Sequence, residues 1–141
     1  MVYVSRCEAE TEALGEKIAR ALPSGGTVIA LYGELGAGKT AFVRGLARGL
    51  EVEGHIVSPT FTIVNEFYGK RDLFHFDMYR LGSADELFDI GWEDYLRRGG
   101  VCAVEWSENV PEAFDGTEIR VRIEKLSDGE RSITVEGLEL C

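Results

Sequence analysis

Thr27-Val28-Ile29-Ala30-Leu31-Tyr32-Gly33-Glu34-Leu35-Gly36-Ala37-Gly38-Lys39-Thr40 is the stretch that decides the fold. Its first six residues are a nearly continuous apolar run rich in β-formers. That pattern suits a strand buried on both faces, as in a parallel sheet covered by helices. The next eight match G-x-x-x-x-G-K-[ST] at every fixed position. Glycines at Gly33, Gly36 and Gly38 let the backbone turn, so that successive N–H groups, including those of Glu34, Leu35 and Ala37, point inward at phosphate oxygens. The N-terminus of the helix that follows adds its partial positive charge. Lys39 is then placed to meet the β- and γ-phosphates, and the Thr40 hydroxyl to ligate Mg²⁺. No [NT]-K-x-D tetrapeptide, which would read guanine, occurs in the chain, so ATP is expected over GTP.

Working outward, Leu14, Ile18 and Leu22 recur on one face and predict a helix over residues 8–22, ended by Pro23-Ser24-Gly25-Gly26. A second helix runs from the phosphate loop to about residue 50, with Phe42, Val43, Leu46 and Leu50 inside. Residues 62–68 and 73–79 read as an antiparallel hairpin, and 118–126 with 132–138 as another. Ser83 and Glu86 have capping-box spacing ahead of a short helix, and 92–96 is a further helical stretch. Val101-Cys102-Ala103-Val104 is a second buried strand, ending in Glu105. The expected fold is a single α/β domain over residues 1–141. It is P-loop NTPase-like, with a mixed, mainly parallel sheet flanked by helices and carrying antiparallel hairpins.

A length of 141 residues fits one core and leaves no room for a separate substrate domain. The net charge is −10, which repels a nucleic-acid backbone and argues against unaided binding of DNA or RNA. The charge is uneven: residues 1–70 hold 7 basic and 8 acidic side chains, residues 71–141 hold 8 and 17. The near-neutral half is the one with the phosphate loop. The three cysteines (Cys7, Cys102, Cys141) are an odd, scattered set, which speaks against a disulfide framework or a zinc site and for a reducing cytoplasm. No signal peptide and no membrane span are expected.

A phosphate loop needs an acidic partner for Mg²⁺. Glu105 closes a buried strand, and ligands gather at the carboxyl ends of parallel strands. Asp77 alternates with Phe74, Phe76 and Met78 and so points away from them. Strand position favours Glu105 for the metal, while either carboxylate could position the attacking water. Ser58-Pro59-Thr60-Phe61 reads as a switch loop, its Thr60 hydroxyl available to Mg²⁺ or the γ-phosphate. Trp106 is a core aromatic or a ring at the edge of the site. His55 and His75 have no visible partners and read as structural.

Together, G-E-L-G-A-G-K-T at 33–40, S-P-T-F at 58–61, H-F-D-M-Y-R at 75–80 and Glu105-Trp106 resemble the TsaE family (older name YjeE) of bacterial tRNA threonylcarbamoyladenosine (t⁶A) biosynthesis. The likeness spans residues 33–106, and the N-terminal helix with Thr11 also fits. It implies a Mg²⁺-dependent ATPase, slow on its own, that works with TsaD and TsaB in threonylcarbamoylation of tRNA adenosine 37. Contact with tRNA is then indirect, through the complex. By the same resemblance Lys39 holds phosphates, Thr40 and Glu105 bind Mg²⁺, and Asp77 and Trp106 are functional. Thr11 lies near the nucleotide base, and Arg131 reaches it from the tail.

Overall fold

Residues 27–32 form the expected strand, and the sheet is laid out around it. The computed structural model describes residues 1–34, 37–53, 64–78 and 84–138. In chain order the elements are β1 (Val2–Ser5), α1 (Glu8–Ala21), β2 (Thr27–Tyr32), α2 (Lys39–Gly49), β3 (Val64–Phe67), β4 (Leu73–Asp77), α3 (Ala84–Asp89), α4 (Trp92–Arg97), β5 (Val101–Glu105), 3-10 turns at Ser107–Asn109 and Pro111–Ala113, β6 (Ile119–Lys125) and β7 (Arg131–Glu136). One seven-stranded sheet takes the order β1-β7-β6-β2-β5-β4-β3. The pairings β6–β2, β2–β5 and β5–β4 are parallel; β1–β7, β7–β6 and β4–β3 are antiparallel. The α/β class, the mixed sheet and both hairpins are as expected, with parallel character confined to the four central strands.

Strand alternation divides the interior into two cores. Ile29, Leu31, Leu73, Val101, Ala103, Val121 and Ile123 face Ile18, Phe42, Val43 and Leu46 on α1 and α2. Phe74, Phe76, Cys102 and Val104 face Leu87 and Trp92 on α3 and α4. Cys102 behaves as the small buried hydrophobe its neighbours suggest, and burial pushes its thiol pKa up to about 12. On β6 and β7 the described residues cover only the α1/α2 side. Ile133 and Val135 are buried, whereas Arg122, Glu124 and Glu136 face solvent. Among the described residues, helices therefore flank one face of the sheet and only part of the other. β1 is an addition that the sequence pattern did not announce. It is four residues long, and Tyr3 and Ser5 turn inward while Val2 and Val4 stay exposed. No described helix is long and apolar enough to cross a membrane.

The contact between α1 and α2 fixes the start of α2, and hence the loop before it. The two backbones approach so closely that a Cβ on Gly45 would stand 2.0 Å from the Glu12 carbonyl oxygen. Along the outer seam Arg44 pairs with Glu8, and Arg48 reaches Glu12 at 3.2 Å. Because backbone atoms cannot yield as a flexible side chain can, Gly45→Ala is expected to destabilise the chain by about 3 kcal/mol, at the upper end of overpacking costs. Urea unfolding should show a lowered midpoint with an unchanged slope. An unchanged midpoint contradicts the close-packed seam.

Candidate functional site

The chain leaves β2 at Gly33, where φ is +151° and a Cβ would stand 2.6 Å from the Ile123 carbonyl oxygen on β6. It enters α2 through Gly38, whose φ is +107°. Both fixed glycines are thus required locally, one by close approach and both by backbone conformation. Lys39 opens α2 and is only 5% exposed. Its Nζ donates to the Gly33 carbonyl at 2.6 Å and lies 3.8 Å from the centre of the Trp106 ring. Burial holds the Lys39 pKa below its ordinary value, and the charges of Glu105, Glu108 and Asp77 offset only part of that shift.

Asp77 and Glu105 are register partners at the carboxyl ends of parallel β4 and β5. Asp77 shares a face with Leu73 and His75, opposite Phe74, Phe76 and Met78, as alternation requires. Glu105 is 3% exposed, with Oε2 bonded to Nε2 of the fully buried His75. The chain then reverses sharply. Trp106 adopts φ +57°, Ser107 Oγ donates to the Val104 carbonyl at 2.8 Å, and Asn109 Nδ2 donates to that of Met78 at 2.9 Å. A bulky residue in the left-handed region costs on the order of 1–3 kcal/mol, and these bonds hold it there. Trp106 unites the two options its position left open: half-buried, it packs against the second core and also lines the site.

Thr11, Gly38, Lys39, Thr40, Asp77, Glu105, Trp106 and Arg131 line one cavity of about 780 Å³. Gly33, Glu34 and Ala37 line instead an adjoining cleft of about 420 Å³, with Trp106 and Arg122 among its other walls. Leu35, Gly36 and the 58–61 segment with Thr60 lie outside the described residues, as do His55, Tyr79 and Arg80. At the far rim Ser5 Oγ donates to the Cys7 carbonyl at 2.8 Å and meets Thr11 Oγ1 at 2.7 Å. Arg131 donates from Nε to the Ala37 carbonyl at 2.9 Å, and from Nη1 to those of Ser127 and Glu130, each at 2.9 Å. It therefore ties the β6–β7 turn to the phosphate loop.

Beside Lys39 the cavity lining offers hard oxygen donors, the Thr40 hydroxyl and the strand-end carboxylates of Asp77 and Glu105. No group of three or more metal-ligating side chains occurs among the described residues. That set fits Mg²⁺, which is usually held by one or two carboxylates together with substrate phosphates and waters. Sequence reasoning missed His75 and Ser5. The two-residue spacing from His75 to Asp77 was a usable signal, because it puts both side chains on one strand face. Ser5 had none, since its strand was not recognised.

The sequence matches the family profile "Threonylcarbamoyl adenosine biosynthesis protein TsaE" over residues 5–133. It is 42% identical over 135 residues to the tRNA threonylcarbamoyladenosine biosynthesis protein TsaE of Treponema pallidum, spanning 96% of this chain and 99% of that one. With the protein of the same description from Bacillus subtilis the identity is 40% over 126 residues, spanning 89% and 78%. The crystal structure of Bacillus subtilis YdiB superposes with a TM-score of 0.77 and 33% identity, covering 99% of this chain and 86% of that one.

The Arg131 clamp has a direct readout. Arg131→Ala removes a charge-assisted hydrogen bond worth about 1.5 kcal/mol or more. Hydrogen exchange at the amides of residues 37–39 should accelerate about tenfold. Unchanged protection there would show that the guanidinium does not hold the loop.

Proposed function

The chain belongs to the TsaE family, and on that premise we propose that it binds ATP with Mg²⁺ in this cavity and hydrolyses it in support of t⁶A formation at adenosine 37 of tRNA, alongside TsaD and TsaB. One observation carries this reading: Lys39, buried at the start of α2, faces two strand-end carboxylates across a cavity with room for a nucleotide.

Each residue then has a part. Lys39 leaves the Gly33 carbonyl for the β- and γ-phosphate oxygens and offsets the charge that develops as the terminal P–O bond breaks. The Thr40 hydroxyl and Glu105 would hold the Mg²⁺, which would supply charge neutralisation at the phosphates. Glu105 already has one oxygen committed to His75, whereas Asp77 is the less buried of the two carboxylates, which favours Asp77 for orienting water in line with the γ-phosphorus. Phosphate and ADP are the products.

The opposite end of the cavity suits the base. The Cys7 carbonyl has no proton to give, so Ser5 Oγ donates to it and Thr11 Oγ1 donates to Ser5. Thr11 thereby keeps only lone pairs, which match the amino group of adenine and not the carbonyl of guanine. Arg131 acts through the loop it clamps. The acidic surface is consistent with a subunit that reaches tRNA only through its partners.

Lys39→Ala is expected to lower ATP hydrolysis by about 100-fold or more, measured as phosphate release by the purified chain with and without TsaD and TsaB. The same variant should fail to support t⁶A formation in the reconstituted mixture. A parental rate in that variant defeats the assignment. Glu105→Ala should remain folded and lose the Mg²⁺ dependence of turnover.

A further inference from the structure

We propose that His75 is the positioning residue for Glu105: its Nε2–H holds one carboxylate oxygen back against β4, so that the other is presented to the divalent cation. This inference rests on the reading of the cavity as a Mg²⁺–nucleotide site. It goes further by giving a task to a side chain that the phosphate-loop chemistry does not use.

The register makes the need plain. Asp77 lies directly opposite Glu105, and His75 lies opposite Ala103. Two carboxylates side by side on neighbouring strands repel each other. Glu105 does not stand straight out beside Asp77. It is bonded diagonally back to His75, two register positions towards the amino ends of the strands. Ala103, the small residue facing His75, leaves the imidazole room to reach across. The bond therefore settles which way Glu105 leans and keeps it clear of Asp77.

Burial supports the same conclusion. Glu105 is 3% exposed, and a carboxylate so far from water requires a donor. A carboxylate accepts, so Nε2 of His75 carries the proton. The other ring nitrogen, Nδ1, is buried without a hydrogen-bond partner among the described residues. An orphaned buried nitrogen is a burden that leucine, as at Leu73 on the same face, would not bring. The imidazole is thus accounted for by its Nε2 alone. Partners of this kind commonly set the orientation of metal-binding carboxylates.

Two amides that differ in reach separate positioning from packing. Glutamine at position 75 can bring its nitrogen to the place of Nε2; asparagine stops near Nδ1. Binding of a non-hydrolysable imido analogue of ATP is measured by calorimetry in EDTA and again in MgCl₂. The parent should bind more tightly with Mg²⁺. His75→Asn should match the parent within about twofold in EDTA and lose about tenfold of the Mg²⁺-dependent gain. His75→Gln should keep most of that gain. In a Glu105→Gln background His75→Asn should cause no further loss, because one acts through the other. If His75→Asn is too unstable for calorimetry, His75→Leu replaces it with the same expectation. A full Mg²⁺ gain in the asparagine variant, equal loss in asparagine and glutamine variants, or an additional loss in the Glu105→Gln background each overturns the proposal. A parent that gains nothing from Mg²⁺ overturns the cavity reading with it; a parent that gains, beside an asparagine variant that gains equally, overturns the His75 role alone.

Discussion

A lysine ammonium withdrawn from water is the constraint around which this end of the molecule is built. Lys39 is nearly fully buried, and burial alone makes its charged form unfavourable. The surroundings compensate with a carbonyl from Gly33, the face of Trp106 and the fields of Glu105, Glu108 and Asp77. None of these groups neighbours Lys39 in sequence, so they must be delivered by the ends of β2, β4 and β5. The turn at Gly33 bends the loop carbonyl back, the strained backbone at Trp106 swings its ring over the ammonium, and parallel pairing lines up the two carboxylates. In a chain of net charge −10, a cavity lined by a buried cation is where an anion meets least repulsion.

The sheet supplies that convergence. β2, β5 and β4 run parallel and end together, so the loop after β2 and the terminal residues of the other two share one crevice. The antiparallel margin serves the same place by another route. β1 adds to β7 with Ser5 opposite Arg131, which brings the Ser5–Thr11 hydroxyl pair and the Arg131 clamp to one rim. A short edge strand of little stabilising weight is thereby tied to the site. The close seam of α1 on α2 completes the arrangement, because it sets where Thr11 stands relative to the start of α2.

Much of this was legible in the amino-acid sequence because the signals were local. A continuous apolar run, a fixed-spacing glycine loop and an amphipathic helix follow one another in the first 50 residues, and each specifies its own backbone. The position of Asp77 followed from strand alternation, and that of Glu105 from its place at the end of a buried run. What escaped depended on contacts distant in sequence. His75 meets a partner 30 residues away, and Arg131 bonds to a carbonyl 94 residues away. No periodicity encodes either. β1 escaped for a different reason: four residues with one apolar side chain turned inward carry too little pattern to be told from a terminus. The half-coverage of the sheet by the described residues was likewise hidden, since the polar alternation of β6 and β7 reads simply as a hairpin.

The central claim is that the buried ammonium and the strand-end carboxylates together enclose a metal-bound triphosphate. A crystal structure of the chain grown with Mg²⁺ and a non-hydrolysable ATP analogue tests it most directly. The account predicts β- and γ-phosphate oxygens at Lys39 Nζ, with the metal between Thr40 and Glu105 and the base at the Thr11 end. Nucleotide density elsewhere, or Lys39 still on the Gly33 carbonyl with the cavity free of phosphate, would contradict it.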